Sequence, residues 1–216
     1  MKGGNAAMTS ILDPDVEYVV LCGSRHERIG YAPKAEVHHE STPLHLAFSC
    51  YLFDQEGNFL VTWRAKHKRT FPGVRTNSCC GHPGPGEIIP DAIARRLAEE
   101  LGTTADRIEL VLPEFRYEAT MADGVRENEV CPVYRATVNT RPNVVPNPEE
   151  VDDTAWVPWR QFVAEVEADR TSVSPWCALQ VDQLLALGPD PLSWPVSDDS
   201  RLPDAAREPL EARRWT

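Results

Sequence analysis

The chain reads as an α+β protein, a mixed β-sheet with flanking helices, and three observations point there. Short apolar strands recur between polar turns, one well-capped amphipathic helix divides them, and two further helices follow the last strand. Residues 1–14 read as a disordered lead. Glu17-Tyr-Val-Val-Leu-Cys22 is an apolar strand bounded by Gly23 and Ser24. His45 to Phe53 is a largely apolar strand that runs into the polar turn Asp54-Gln-Glu-Gly57. Asn58 to Arg64 then alternates outward, so the two segments predict an antiparallel hairpin.

The clearest helix begins near Pro90, a residue suited to a first helical turn, with Asp91 favourable to the dipole there. Ile93, Leu97 and Leu101 recur every four residues as a buried stripe, and Gly102 suits the C-terminal cap. Arg96 and Glu100 sit one turn apart on another face. Strands are expected at 108–112, 114–119 and 127–138, a helix over 159–168, and another that opens with Ser174-Pro175 and ends before Gly188. From Gly188 the chain carries five prolines and no sustained periodicity. That stretch predicts an extended tail lying on the domain or partly disordered. The expected organisation is a lead over 1–14, one domain over 15–187 and a proline-rich tail over 188–216.

Composition narrows the function. A formal net charge of −11 disfavours nucleic acid or an anionic membrane as the main partner. An anionic small substrate would need its own basic pocket and metal ions. No apolar run approaches the ~18–20 residues of a membrane span, and 1–10 lack the charged and apolar regions of a signal peptide. The six cysteines form no spaced framework, so reduced thiols in the cytoplasm are expected.

Five of the six histidines, His38, His39, His45, His67 and His82, fall in one stretch. Any one alone is more often structural than a ligand. Glu127-Asn-Glu129 adds two carboxylates on one face of a strand, where they repel unless a cation or proton intervenes. Three imidazoles and two carboxylates suit a first-row divalent ion better than Mg2+. Spacing alone leaves open which histidines take part. Cys80 lies near His82, and nearby positive charge would lower its thiol pKa. Cys79 should point the opposite way if the stretch is extended. Arg64, Lys66, Lys68 and Arg69 form a basic cluster, either a solvated rim or an anion-binding lip.

Gly81, Glu87, Arg95-Arg96-Leu97, Glu99-Glu100 and Gly102 have the spacing of the Nudix box and resemble it, except that Arg96 stands where the hydrolases carry Glu. That loss of an acidic ligand argues against pyrophosphate hydrolysis. Thr76-Asn-Ser-Cys-Cys-Gly-His-Pro83, Leu44-His-Leu-Ala-Phe48, Phe115-Arg-Tyr117, Glu127-Asn-Glu-Val-Cys-Pro132 and Ser174-Pro-Trp176 together resemble the type I isopentenyl diphosphate isomerases over roughly 17–187. The resemblance implies a Nudix-like fold and interconversion of isopentenyl and dimethylallyl diphosphate. It implies a metal site of His38, His45, His82, Glu127 and Glu129 for Mn2+ or another first-row ion such as Zn2+, with His39 and His67 as bystanders. It implies a Mg2+, arriving with the substrate diphosphate, on Glu100 and the backbone carbonyl of Cys80. Lys34, Arg64, Lys68 and Arg96 would neutralise the diphosphate. Cys80 and Glu129 would be the acid–base pair, with Tyr117 beside Glu129 and Trp176 over the hydrocarbon. The expected partner is a small prenyl diphosphate, and the expected state a monomer or weak dimer. Arg75 and Glu118 depart from the family pattern, which leaves a changed pocket and another prenyl diphosphate as an alternative. A non-catalytic diphosphate binder is the reading from a different class.

Overall fold

Residues 12–207 are described by the computed structural model. Residues 1–11 and 208–216, which hold most of the expected lead and the end of the expected tail, lie outside them. The strands are β1 (Tyr18–Cys22), β2 (Arg28–Pro33), β3 (His45–Leu46), β4 (Phe48–Phe53), β5 (Asn58–Arg64), β6 (Arg75–Thr76), β7 (Cys79–Gly81), β8 (Arg107–Leu112), β9 (Arg116–Thr120), β10 (Arg126–Val130), β11 (Val133–Thr137) and β12 (Val151–Pro158). The helices are α1 (Lys34–Val37), α2 (Ile89–Leu101), α3 (Trp159–Ala168), α4 (Pro175–Leu187) and α5 (Asp204–Arg207). The fold is α+β, with two mixed sheets in place of the single one expected. One runs β2-β1-β3-β10-β9 and the other β12-β5-β4-β11-β8, with β6 on β5 and β7 on β4.

Two segments cross from one sheet to the other side by side. The stretch 45–53 changes sheet at Ala47, and 126–137 changes at Cys131-Pro132. The sequence predicts a single strand over 127–138. Pro132 has no N–H to continue the ladder, and the Cys131 N–H is spent on Phe115 O at 2.8 Å. Both halves run parallel to their neighbours, β10 to β3 and β11 to β4.

The expected hairpin is also modified. β4 and β5 face each other only at Phe53 and Phe59, next to the turn. Beyond that point the segment 75–81 wedges between them, β6 pairing with β5 and β7 with β4. Ser78 bridges the split: its Oγ accepts from Leu52 N at 2.8 Å and donates to Leu60 O at 2.6 Å. A buried backbone group must find some partner, and here a side chain supplies it.

β4 is buried along its whole length because both faces of its sheet are covered. Phe48, Cys50 and Leu52 pack with Ile93, Leu97 and Leu101 of α2, while Tyr51 and Phe53 pack with Trp159, Phe162 and Trp176 of α3 and α4. α2 ends as its sequence predicts: Gly102 has φ 60°, and Thr103 N–H reaches back to Leu97 O. β12 escapes the sequence pattern because it is an edge strand with a largely uncovered, acidic start at Asp152-Asp153. Residues 188–207 make short helical turns against the domain. Trp194 is buried, and Arg135 donates to Pro191 O at 2.7 Å and Trp194 O at 3.2 Å. No helix among the described residues is long and apolar enough to cross a membrane.

Candidate active site

Three neighbouring strands set out the centre of the site in one row. The β3–β10–β9 register places His45, Glu129 and Tyr117 directly opposite one another. His82, just after β7, and His38, just after α1, approach from the side. His82 Nε2 lies 3.1 Å from Glu129 Oε1, His45 Nε2 lies 3.4 Å from the same oxygen, and the two Nε2 atoms are 3.2 Å apart. Ligand-type atoms of His38, His45, His82 and Glu129 all fall within 4.8 Å of one another. His45 Nδ1 faces Pro43 O at 2.9 Å, which turns its Nε2 toward the cluster.

Burial drives the imidazoles of His38 and His82 down, to about 3 and about 4. Burial is also the largest single influence on His45, but the hydrogen bond to Glu129, the charges of Glu129 and Glu127 and the Pro43 carbonyl together outweigh it and raise that ring. Burial alone would raise Glu129; the two histidines hold it well below the usual carboxylate range. The lowered rings of His38 and His82 and the raised ring of His45 crowd around one anionic oxygen, a set of N and O donors that fits a first-row divalent ion. Glu127 stands beside this group of four. Its carboxyl is pushed up by burial and then by the charge of Glu129, and Tyr117 Oη lies 2.6 Å from it and 2.8 Å from Glu129. His39 and His67 stay outside: His39 Nδ1 accepts from Ser41 N, and exposed His67 reaches Glu149.

A cavity of about 620 Å³ opens onto this cluster, and Cys80, Tyr117, Trp176, Lys34, Arg64, Lys68 and Arg96 line it. Cys80 turns into the cavity while Cys79 is buried on the α2 side, the opposition expected of an extended stretch. The thiol is not lowered by the chain itself: burial pushes it up to about 12, more than Ser49, Asn77 and Arg64 pull it down. Trp176 forms the apolar floor, its ring 5.7 Å from Tyr117 and 5.3 Å from Phe71. All six cysteines are free.

The basic residues are held by partners. Lys34 pairs with Glu17 at 2.8 Å. Arg64 donates to Thr70 O at 2.9 Å and Phe71 O at 3.2 Å, and its guanidinium lies 5.5 Å from the Trp176 ring centre. Lys68 pairs with Glu150. Arg96 donates to Glu100 at 2.7 Å and meets Glu150 at 3.2 Å. Glu100 is buried behind Arg96 and forms no part of the cavity wall. Glu150 lies in an acidic loop that gave no sequence signal, yet it binds two of the four cations. Arg75 and Glu118, the two departures, face away: Arg75 bonds Glu165 at 2.7 Å over the rings of Trp63 and Phe162, and Glu118 pairs with Arg126. Neither lines the cavity.

The NUDIX domain family profile matches residues 43–177. The isopentenyl-diphosphate Delta-isomerase of Saccharopolyspora erythraea is 55% identical over 191 residues, 88% of this chain and 97% of its own. The protein of the same name from Rhizobium rhizogenes is 50% identical over 206 residues, 95% of this chain and 98% of its own. Among solved structures, DR0079 from Deinococcus radiodurans superposes with a TM-score of 0.60 at 18% identity, covering 77% of this chain and 98% of that one.

Proposed function

The chain belongs to the NUDIX family and, within it, to the isopentenyl-diphosphate Delta-isomerases, and from that premise we infer that it interconverts isopentenyl and dimethylallyl diphosphate. The observation that carries the reading is one cavity holding a thiol, a histidine–carboxylate cluster, an aromatic floor and a basic wall. Protonation of the terminal alkene carbon uses the π electrons to form a C–H bond and leaves a tertiary carbocation. Loss of a proton from the allylic carbon returns that C–H pair as the new double bond. One member of the Cys80–Glu129 pair gives the first proton and the other takes the second, and reversal exchanges their parts. Tyr117, bonded to Glu129, keeps that carboxylate oriented. The Trp176 face stabilises the cation by about 0.5–2 kcal/mol without adding to it, and the aromatic floor keeps out water that would trap it.

His38, His45, His82 and Glu129, with Glu127 as a fifth donor, would hold Mn2+ or another first-row ion such as Zn2+. Its charge would acidify a carboxyl bound to it. Glu100, set back behind Arg96, and the Cys80 carbonyl would hold Mg2+, which would neutralise part of the diphosphate charge; Lys34, Arg64, Lys68 and Arg96 would meet the rest. Arg96, ion-paired to Glu100 and Glu150, supplies a fixed cation where a hydrolase would need another carboxylate. Arg75 and Glu118 point away from the cavity, which favours the five-carbon substrate over a longer one. Six free cysteines suit the reducing cytoplasm.

Incubating the protein with divalent metal and isopentenyl diphosphate in D2O tests this directly. Deuterium should enter a dimethylallyl product seen by NMR. Turnover of a longer prenyl diphosphate alone would overturn the substrate assignment, and none at all would leave a diphosphate binder. Chelation should abolish activity, and metal analysis should find one tight first-row ion per chain. His38→Ala, His45→Ala and His82→Ala should each lose it, whereas His67→Ala should keep it. Full retention by the His82 variant would remove that residue from the metal site.

A further inference from the structure

Behind Cys80 a line of buried polar groups enters the core, where such groups are costly unless each is satisfied. Ser49, Asn77, Tyr51 and Gln180 are all fully buried. They come from β4, from the link between β6 and β7, and from α4; Ser49 and Asn77 touch the sulfur and Gln180 reaches it through Ser49. Asn77 has a fixed orientation: its Nδ2 donates to Cys79 O at 2.8 Å and Cys50 O at 3.2 Å, which leaves Oδ1 as the acceptor. That oxygen accepts from Cys80 Sγ at 3.2 Å and from Trp176 Nε1 at 3.0 Å. One atom therefore aims both the thiol and the indole floor.

Gln180 is fixed in the same way. The Tyr51 hydroxyl donates to its Oε1 at 2.8 Å, and its Nε2 donates to Ser49 Oγ at 2.9 Å. Ser49 Oγ then has one hydrogen to offer, which can turn to Cys80 Sγ at 3.5 Å or to Cys131 Sγ at 3.4 Å. The chain of donors runs in one direction, from Tyr51 through Gln180 and Ser49 to the sulfur. Gln180 lies one helical turn beyond Trp176 on the buried face of α4, so the same helix presents the floor and the support of the thiol.

We propose that Ser49, Asn77 and Gln180 are positioning residues for the reaction: Asn77 aims the Cys80 S–H, and Ser49, oriented by Gln180, meets the charge that appears on sulfur when its proton leaves. This rests on Cys80 as one of the two proton-transfer groups. The proton still moves only between Cys80 and the substrate carbon, and the hydroxyl of Ser49 keeps its own.

The test compares Ser49→Ala, Gln180→Met and their double variant with wild type and Cys80→Ala in the metal-loaded enzyme. Each single variant should lower kcat by about 10–100-fold, the range for removing partners that orient an active-site ligand, with KM and bound metal little changed and Tm lowered by the buried group left unpaired. Because Gln180 acts through Ser49, the double variant should match Ser49→Ala alone; two unrelated packing defects would multiply. The solvent isotope effect on kcat in D2O, which reads the step in which the sulfur gives up its proton, should rise in the single variants, a change that loosened packing would not produce. Should Ser49→Ala fail to fold, Gln180→Met carries the same isotope readout. Single variants at wild-type kcat, or a multiplicative double variant, overturn the positioning role while Cys80→Ala remains inactive. An active Cys80→Ala enzyme would instead remove the assignment beneath it.

Discussion

Replacing Cys80 by alanine is expected to lower turnover by about 10²–10⁴-fold, the usual worth of one acid–base group, with diphosphate affinity nearly unchanged. The thiol reaches the cavity, and burial keeps it protonated in the resting chain. Removing it deletes one proton-transfer group and leaves the basic wall intact, so the loss should fall on kcat rather than KM. Cys79 provides the comparison within the same strand. It sits 2% exposed among Ile89, Ala92 and Leu97, on the far side of the sheet from the cavity. Cys79→Ala should cost stability, read as a lower Tm, and keep turnover within a few-fold. Parallel losses in the two variants would show that the sulfur of Cys80 acts only through packing.

Glu129→Gln should likewise lose nearly all turnover, and it separates chemistry from binding more sharply. Gln keeps the shape and one oxygen donor of Glu but exchanges no proton at neutral pH. The carboxylate is the shared partner of His45, His82 and Tyr117, so the substitution also weakens the hold on the first-row ion. Activity must therefore be expressed per bound metal. A metal-loaded Glu129→Gln enzyme that isomerises at near wild-type rate would route the proton through another group, and Tyr117, at hydrogen-bond distance from both carboxylates, would be the first to test by Tyr117→Phe.

Much of this was legible because the signals are local. The α2 stripe, its Pro90 start and Gly102 cap, the Ser174-Pro175 opening of α4 and the span of α3 follow from spacing and capping alone. The opposition of Cys79 and Cys80 follows from the alternation of a strand. What stayed hidden is long-range. Nothing within 45–64 says that residues 75–81 will enter between its two arms, and only the wedge brings Cys80 opposite Ser49. The histidines could be gathered as a group, but choosing His38, His45 and His82 over His39 and His67 took a family resemblance. Glu150 and Gln180 carry charge or polarity in places where sequence offers no period to read. Glu118 looked like a change to the pocket because its neighbour Tyr117 lines it, whereas its own side chain pairs with Arg126; Arg75 packs on Trp63 and Phe162, away from the cavity.

The paired crossing of 45–53 and 126–137 between sheets also sets how the protein can breathe. Two separate sheets would form two cooperative units, each able to open while the other held. Here both crossing segments are shared, and their hinge points, Ala47 and Cys131, are buried at 1% exposure. Opening either sheet pulls the backbone of the other, so local and global unfolding merge into one event. His45, Ser49 and Glu129 ride on that common backbone and have no low-energy excursion of their own. Exchange is left to the cavity rim, where Lys34 and Lys68 are ion-paired to Glu17 and Glu150, partners that an arriving anion can displace while the proton-transfer geometry stays stiff.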